Sequence, residues 1–199
     1  SDAVSPVSTG ASFADRNAGS GKSVTVTGLS LSGTDAGNYT VPANLTTTGT
    51  ISAKTLTPVA VVKTKEYDGT ATAELNSLSL TGVIGSDAVT PGSTGATFAD
   101  RNVGIGKSVT VNGLALSGAD AANYSVANTA TTIGTITAKT LTPVAVVKTK
   151  EYDGTAIAEL NSLSLSGVIG SDAVTSGSTG ASFADRNAGI GKSVTISGL

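Results

Sequence analysis

Sixteen residues, Leu56 to Ala71 (LTPVAVVKTKEYDGTA), return letter for letter as Leu141 to Ala156, 85 positions further on. The same shift lays residues 1–85 on residues 86–170 with 67 identities and no gap, and a third copy opens at Ser171. A repeat of this kind means one folding unit used in tandem. The fold must therefore be one that about 85 residues complete and then repeat. With the copy boundaries set instead at Lys54 and Lys139, where the Gly-Thr-Ile-x-Ala-Lys signature closes, residues 1–53 are the C-terminal part of one copy, 54–138 a complete copy, and 139–199 the N-terminal part of the next. A unit of this size buries roughly 60% of the surface its unfolded chain exposes. Each copy is thus marginal alone, and contact with its neighbours should help.

Composition narrows the chemistry. Cys, Met, Trp, His and Gln are absent, and the net charge is −2. No disulfide can form, and transition-metal sites and the commonest catalytic bases lose their usual residues. The charge balance favours neither a nucleic-acid backbone nor an anionic membrane. No apolar run is long enough to span a bilayer, and no signal-peptide pattern opens the chain. Starting and stopping within copies, the chain reads as a window on a longer array.

Thr, Val and regularly placed Gly favour strands and turns over helices. Ser23-Val24-Thr25-Val26-Thr27 alternates polar and apolar residues, the period of a half-buried strand. Phe13, Phe98 and Phe183 are expected in the core, with Tyr39 and Tyr124 on its face. Asp68-Gly69 and Asp153-Gly154 are expected to close hairpins, with Tyr67 and Tyr152 capping the core. Seven or eight strands per copy predict an all-β fold: tandem small β-sandwiches, Ig-like or related. The joint Thr50–Val59 carries no Gly/Ser-rich or Pro-rich spacer. A flexible linker needs both length and small polar residues, so the array is expected to be an elongated rod.

Four signatures recur in order. They are Lys-x-Tyr-Asp-Gly-Thr (Lys65 to Thr70), Phe-Ala-Asp-Arg-Asn-x-Gly-x-Gly-Lys-Ser-Val-Thr-Val (Phe98 to Val111), Gly-Leu-x-Leu-Ser-Gly-x-Asp-Ala-x-Asn-Tyr (Gly113 to Tyr124) and Gly-Thr-Ile-x-Ala-Lys (Gly134 to Lys139). Over its whole length the chain resembles the YDG repeat, and more loosely the MBG repeats, of large bacterial surface and secreted adhesins. The resemblance implies an extracellular, cell-surface stalk, often within haemagglutinin-like exoproteins, active in adhesion or biofilm formation. It implies no catalytic site.

The remaining motifs have plain readings beside sharper ones. Gly104-Ile105-Gly106-Lys107-Ser108 suggests a phosphate loop, but Arg101 stands where that pattern needs its first Gly, and a strand follows instead of a helix. Calcium is the one ion the acidic loops invite, through Asp35, Asp120 and Asp87, with Asp2 and Asp172 in equivalent loops. Each loop brings one carboxylate where calcium takes six to eight oxygens, so loops would have to converge. Asp100-Arg101-Asn102 reads as a salt bridge or a turn network. Asn38, Asn44 and Asn123 begin N-glycosylation patterns, and a Lys–Asn isopeptide bond has candidates but no placed pair.

The expected function is a structural stalk or spacer, with no catalysis and no cofactor. Its partners are the adjacent copies, and beyond them other fibres, exopolysaccharide or a host surface. The alternative is a repeat that itself binds glycan or a receptor multivalently.

Overall fold

The computed structural model describes residues 2–199. The fold is all-β, with 21 strands and two single-turn 3-10 helices, and no α-helix among the described residues. The first copy supplies β1 (Ser5–Val7), β2 (Gly10–Phe13), β3 (Gly19–Thr27), β4 (Ser30–Ser32) and β5 (Asn44–Ile51). The middle copy supplies β6 (Lys54–Thr55), β7 (Thr57–Val62), β8 (Lys65–Glu66), β9 (Thr72–Ala73), β10 (Leu75–Thr81), β11 (Thr90–Gly92), β12 (Gly95–Phe98), β13 (Gly104–Asn112), β14 (Ala115–Ser117), β15 (Tyr124–Ser125) and β16 (Ala130–Thr137). The third supplies β17 (Thr142–Val147), β18 (Ile157–Ala158), β19 (Leu160–Ser166), β20 (Gly180–Phe183) and β21 (Val194–Ser197). Seven strands of the middle copy have three residues or more; the other four are two-residue pieces that alternation cannot register.

Contacts divide the chain into two compact units. One comprises Ser1–Lys63, Thr72–Ala99 and Ser108–Gly134; the other comprises Thr64–Ala71, Asp100–Lys107 and Thr135–Leu199. In the first unit, β3 lies between β2 and β5, all antiparallel, while β4 leaves to pair with β1. Strand β12 lies between β9 and β13, with Ala96 opposite both Ala73 and Val111. Strand β7 pairs with β10 across a register shift at Leu75/Ser77, and β6 runs parallel to β15. In the second unit, β8 runs parallel to the end of β16, with Ile136 opposite Lys65. There β17 pairs with β19, and β20 lies between β18 and β21.

The alternation in Ser108-Val109-Thr110-Val111 has the expected effect, because both valines are fully enclosed (0% exposed). With Leu56, Ala96, Phe98, Leu114 and Tyr124 they form the core of the first unit. Burial of a valine side chain contributes about 1.5–3 kcal/mol. The Asp68-Gly69 turn, however, closes no simple hairpin. Strand β8 before it pairs with β16, and β9 after it pairs with β12. The flanking ladders are taken by other strands, so the loop is closed by side chains instead.

Three equivalent phenylalanines have three environments. Phe98 is 4% exposed. A Cβ on Gly134 would lie 2.8 Å from its ring, with Val62 3.1 Å away, so a glycine in β16 lets the strand lie flat on the ring. Phe13 has the matching glycine, Gly49 at 2.8 Å, yet is 41% exposed. Phe183 is half-buried. A cleft of about 790 Å³ lined by Phe183, Val147, Lys150 and Tyr152 lies beside it. Tyr39 likewise departs from its expected burial. It is 49% exposed, while Tyr124, whose strand pairs with β6, is 7% exposed. Gly134→Ala is expected to cost about 1–2 kcal/mol in a urea melt, because the added methyl must push the Phe98 ring.

Candidate functional site: carboxylate clasps

Each Lys-x-Tyr-Asp-Gly-Thr loop is closed by its own polar side chains. Lys65 Nζ pairs with Asp68 Oδ1 at 2.7 Å and donates to Thr70 O at 2.9 Å. Asp68 Oδ1 also accepts the Thr70 backbone N–H at 2.8 Å and its hydroxyl at 2.9 Å. Lys150, Asp153 and Thr155 repeat the arrangement. The ammonium of Lys65 and the Thr70 amide hold Asp68 at a pKa of about 2, against an ordinary 3.8; Lys150 and Thr155 do the same for Asp153.

A lowered folded pKa means that this stabilisation is present above about pH 4. It is lost as pH falls toward 2 and the carboxylate takes up its proton. Asp68→Asn should therefore melt lower than the parent at neutral pH and converge with it near pH 2. Parallel melts at every pH would place the charge elsewhere.

The Asp-Arg-Asn turns follow a second rule. The acid does not pair with the adjacent base. Asp100 Oδ1 takes Lys107 at 2.7 Å and the Asn102 amide at 2.7 Å. Asp15 takes Lys22 at 2.5 Å, and Asp185 takes Lys192. The lysine in each case holds the carboxyl below its usual range. Lys107, the lysine of the phosphate-loop look-alike, is thus engaged with Asp100.

The arginine between them is left to reach outward. Arg16 Nη2 lies 3.1 Å from Asp87 Oδ1 and 3.3 Å from Asp120 Oδ1, both in the next copy. Beside it, the Ala18 amide donates to Asn123 Oδ1 at 2.8 Å. One copy on, Arg101 Nη2 lies 3.2 Å from Asp172 Oδ1. Each contact falls within a single compact unit. A guanidinium suits this task, being permanently charged and able to serve two carboxylates from one planar fork.

The acceptor side is also built. Asp120 Oδ2 accepts the Ala88 amide at 2.8 Å, which ties the two acidic loops of one copy together, as Asp35 does with Ala3. Asp87 Oδ2 accepts the Tyr124 phenol at 2.7 Å, and Asp2 accepts that of Tyr39. Tyr67 donates to Asp172 Oδ2 at 2.5 Å. That bond, then burial, raises the Tyr67 pKa; burial first, with the Asp87 bond, raises that of Tyr124. Both phenols stay protonated as donors.

Of the calcium candidates, Asp87 and Asp120 do converge, but on a guanidinium, while Asp35 faces Ala3. No group of three acidic side chains placed to hold a metal occurs among the described residues. Asn123, one of the glycosylation-pattern asparagines, spends its amide on Ala18 and Asn17. Tyr152 and Phe183 border the third-copy cleft, where Tyr152 is 66% exposed. Sequence reasoning missed the arginines. The signal was there, since Arg16, Arg101 and Arg186 are the chain's only three and occupy one repeat position.

An all-β fold that carries side-chain-closed Tyr-Asp-Gly loops at Tyr67–Gly69 and Tyr152–Gly154 defines a class of domain. The YDG domain matches residues 1–48, 52–132 and 137–199. The chain belongs to the YDG domain family. No curated protein and no solved structure matches it.

Proposed function

We propose that this chain is a spacer: tandem small β-sandwich repeats that give length and stiffness to a bacterial extracellular adhesin or matrix fibre. One observation carries the reading. At both successive joints the arginine of one copy's Asp-Arg-Asn turn binds an aspartate of the next. The joint between β5 and β6 adds support, with Ser52 and Ala53 alone between the strands. Exposed ion pairs contribute only about 0–1 kcal/mol each. Their role in this reading is to fix orientation at every joint, with the short connection limiting the swing. The rival reading, a repeat that binds glycan through its Tyr-Asp-Gly loop, has to compete with Asp172 for Tyr67.

Small-angle scattering from arrays of increasing copy number tests the proposal. The maximum dimension should grow by one constant increment per copy, and EDTA should leave it unchanged because the converging carboxylates hold arginine. Copies that tumble independently would overturn the spacer, and an EDTA response would return calcium to the joints.

A further inference from the structure

The two joints show different halves of one arrangement. At the first, Asp87 takes the preceding copy's Arg16 on Oδ1 and its own copy's Tyr124 on Oδ2. At the second, Asp172 takes the preceding copy's Arg101 on Oδ1 and the preceding copy's Tyr67 on Oδ2. Asp87 and Asp172 are one repeat position, as are Arg16 and Arg101. In repeat register, the counterpart of Tyr67 at the first joint and that of Tyr124 at the second fall outside residues 1–199.

We propose that the aspartate of each Ser-Asp-Ala loop is a three-donor socket, and that the tyrosine of the Tyr-Asp-Gly signature is the part the preceding copy inserts into it. The inference rests on the spacer reading and names the partner surface: the Val-Ile-Gly-Ser-Asp-Ala loop of a following copy. The chemistry closes. An ionised carboxylate offers about four lone-pair sites, two on each oxygen, so Oδ2 can accept both phenols while Oδ1 holds the guanidinium. Both side chains are already well enclosed, at 11% exposed for Asp87 and 21% for Asp172.

The socket also gives each signature residue a task. Tyr67 donates across the joint, and Asp68 shapes the loop through Lys65 and Thr70. Gly69 provides clearance. Its φ is +80°, and a Cβ there would lie 2.7 Å from Ile169 Cγ2 in the following copy. The counterpart of Ile169, Ile84, donates its amide to the Tyr124 phenol at 3.0 Å. One loop therefore faces both tyrosines.

The test extends the full chain past Leu199 with the sequence of residues 115–139, which completes the third copy and adds a counterpart of Tyr124. NMR of the phenol protons should find that tyrosine and Tyr67 both bonded to Asp172. Asp172→Asn should release both, and Tyr67→Phe should lower amide-exchange protection of the joined loops roughly tenfold, the scale of one bond to a charged group. Tyr152→Phe, with no copy after it, should leave protection unchanged. If the added tyrosine displaces Tyr67, the socket holds one phenol and the proposal fails. That failure leaves the spacer reading standing so long as Arg101→Ala still lowers protection across the joint. An Arg101→Ala variant with unchanged protection removes both.

Discussion

Phe98→Ala is expected to lower the unfolding free energy by about 3–5 kcal/mol, the range for an enclosed aromatic ring cut to a methyl. The ring is 4% exposed; Phe98 stands opposite Val109 in the β12–β13 pair, and Gly134 of β16 faces its ring. A glycine faces it from β16, so no side chain there can swing in to refill the space. The equivalent change Phe13→Ala should cost under about 1.5 kcal/mol, because a ring 41% exposed loses far less apolar burial. Urea midpoints at constant slope measure both. Equal losses would mean that the difference in exposure does not set what the two rings contribute.

Gly118→Ala should be nearly as damaging, at about 3 kcal/mol or more. Gly118 has φ +114°, and an added Cβ would lie 2.2 Å from the Ala88 carbonyl oxygen. Backbone cannot rotate aside as a side chain can. The same approach allows the Asp120 amide to donate to Ala88 O at 3.2 Å while Asp120 accepts from the Ala88 amide. Separating these loops also separates Asp87 from Asp120, and the Arg16 clasp should weaken with them. Gly106→Ala is the control. Gly106 has φ +65° with open space around it, so only the left-handed penalty of about 1–2 kcal/mol applies. Thermal melts of the two variants should separate clearly; equal shifts would show that the Ala88 contact relaxes without cost.

The clasps were harder to read than the strands, for a reason visible in particular residues. Ser108-Val109-Thr110-Val111 declares its buried face because alternate side chains of a strand point the same way. The lysine of each Tyr-Asp-Gly loop lies three residues from its aspartate, within reach of local reasoning. Arg101 beside Asp100 suggests a neighbouring pair, yet the aspartate chooses Lys107, seven residues away. The arginine then finds Asp172, 71 residues away, and Arg16 finds Asp120 at 104. Nothing in a local pattern ranks partners at such distances.

The amino-acid sequence by itself determined the repeat, the all-β class, the strand faces and the turn glycines. All of these follow from periodicity and backbone sterics acting over a few residues. Only the tertiary structure decided that β16 lies on the Phe98 ring, with Gly134 leaving room for it, because that contact joins strands that are not neighbours in the chain. It also decided which carboxylate receives each arginine and tyrosine. An ion pair or hydrogen bond across a joint depends on where the next copy's loop comes to rest, and that position is set by packing at the joint.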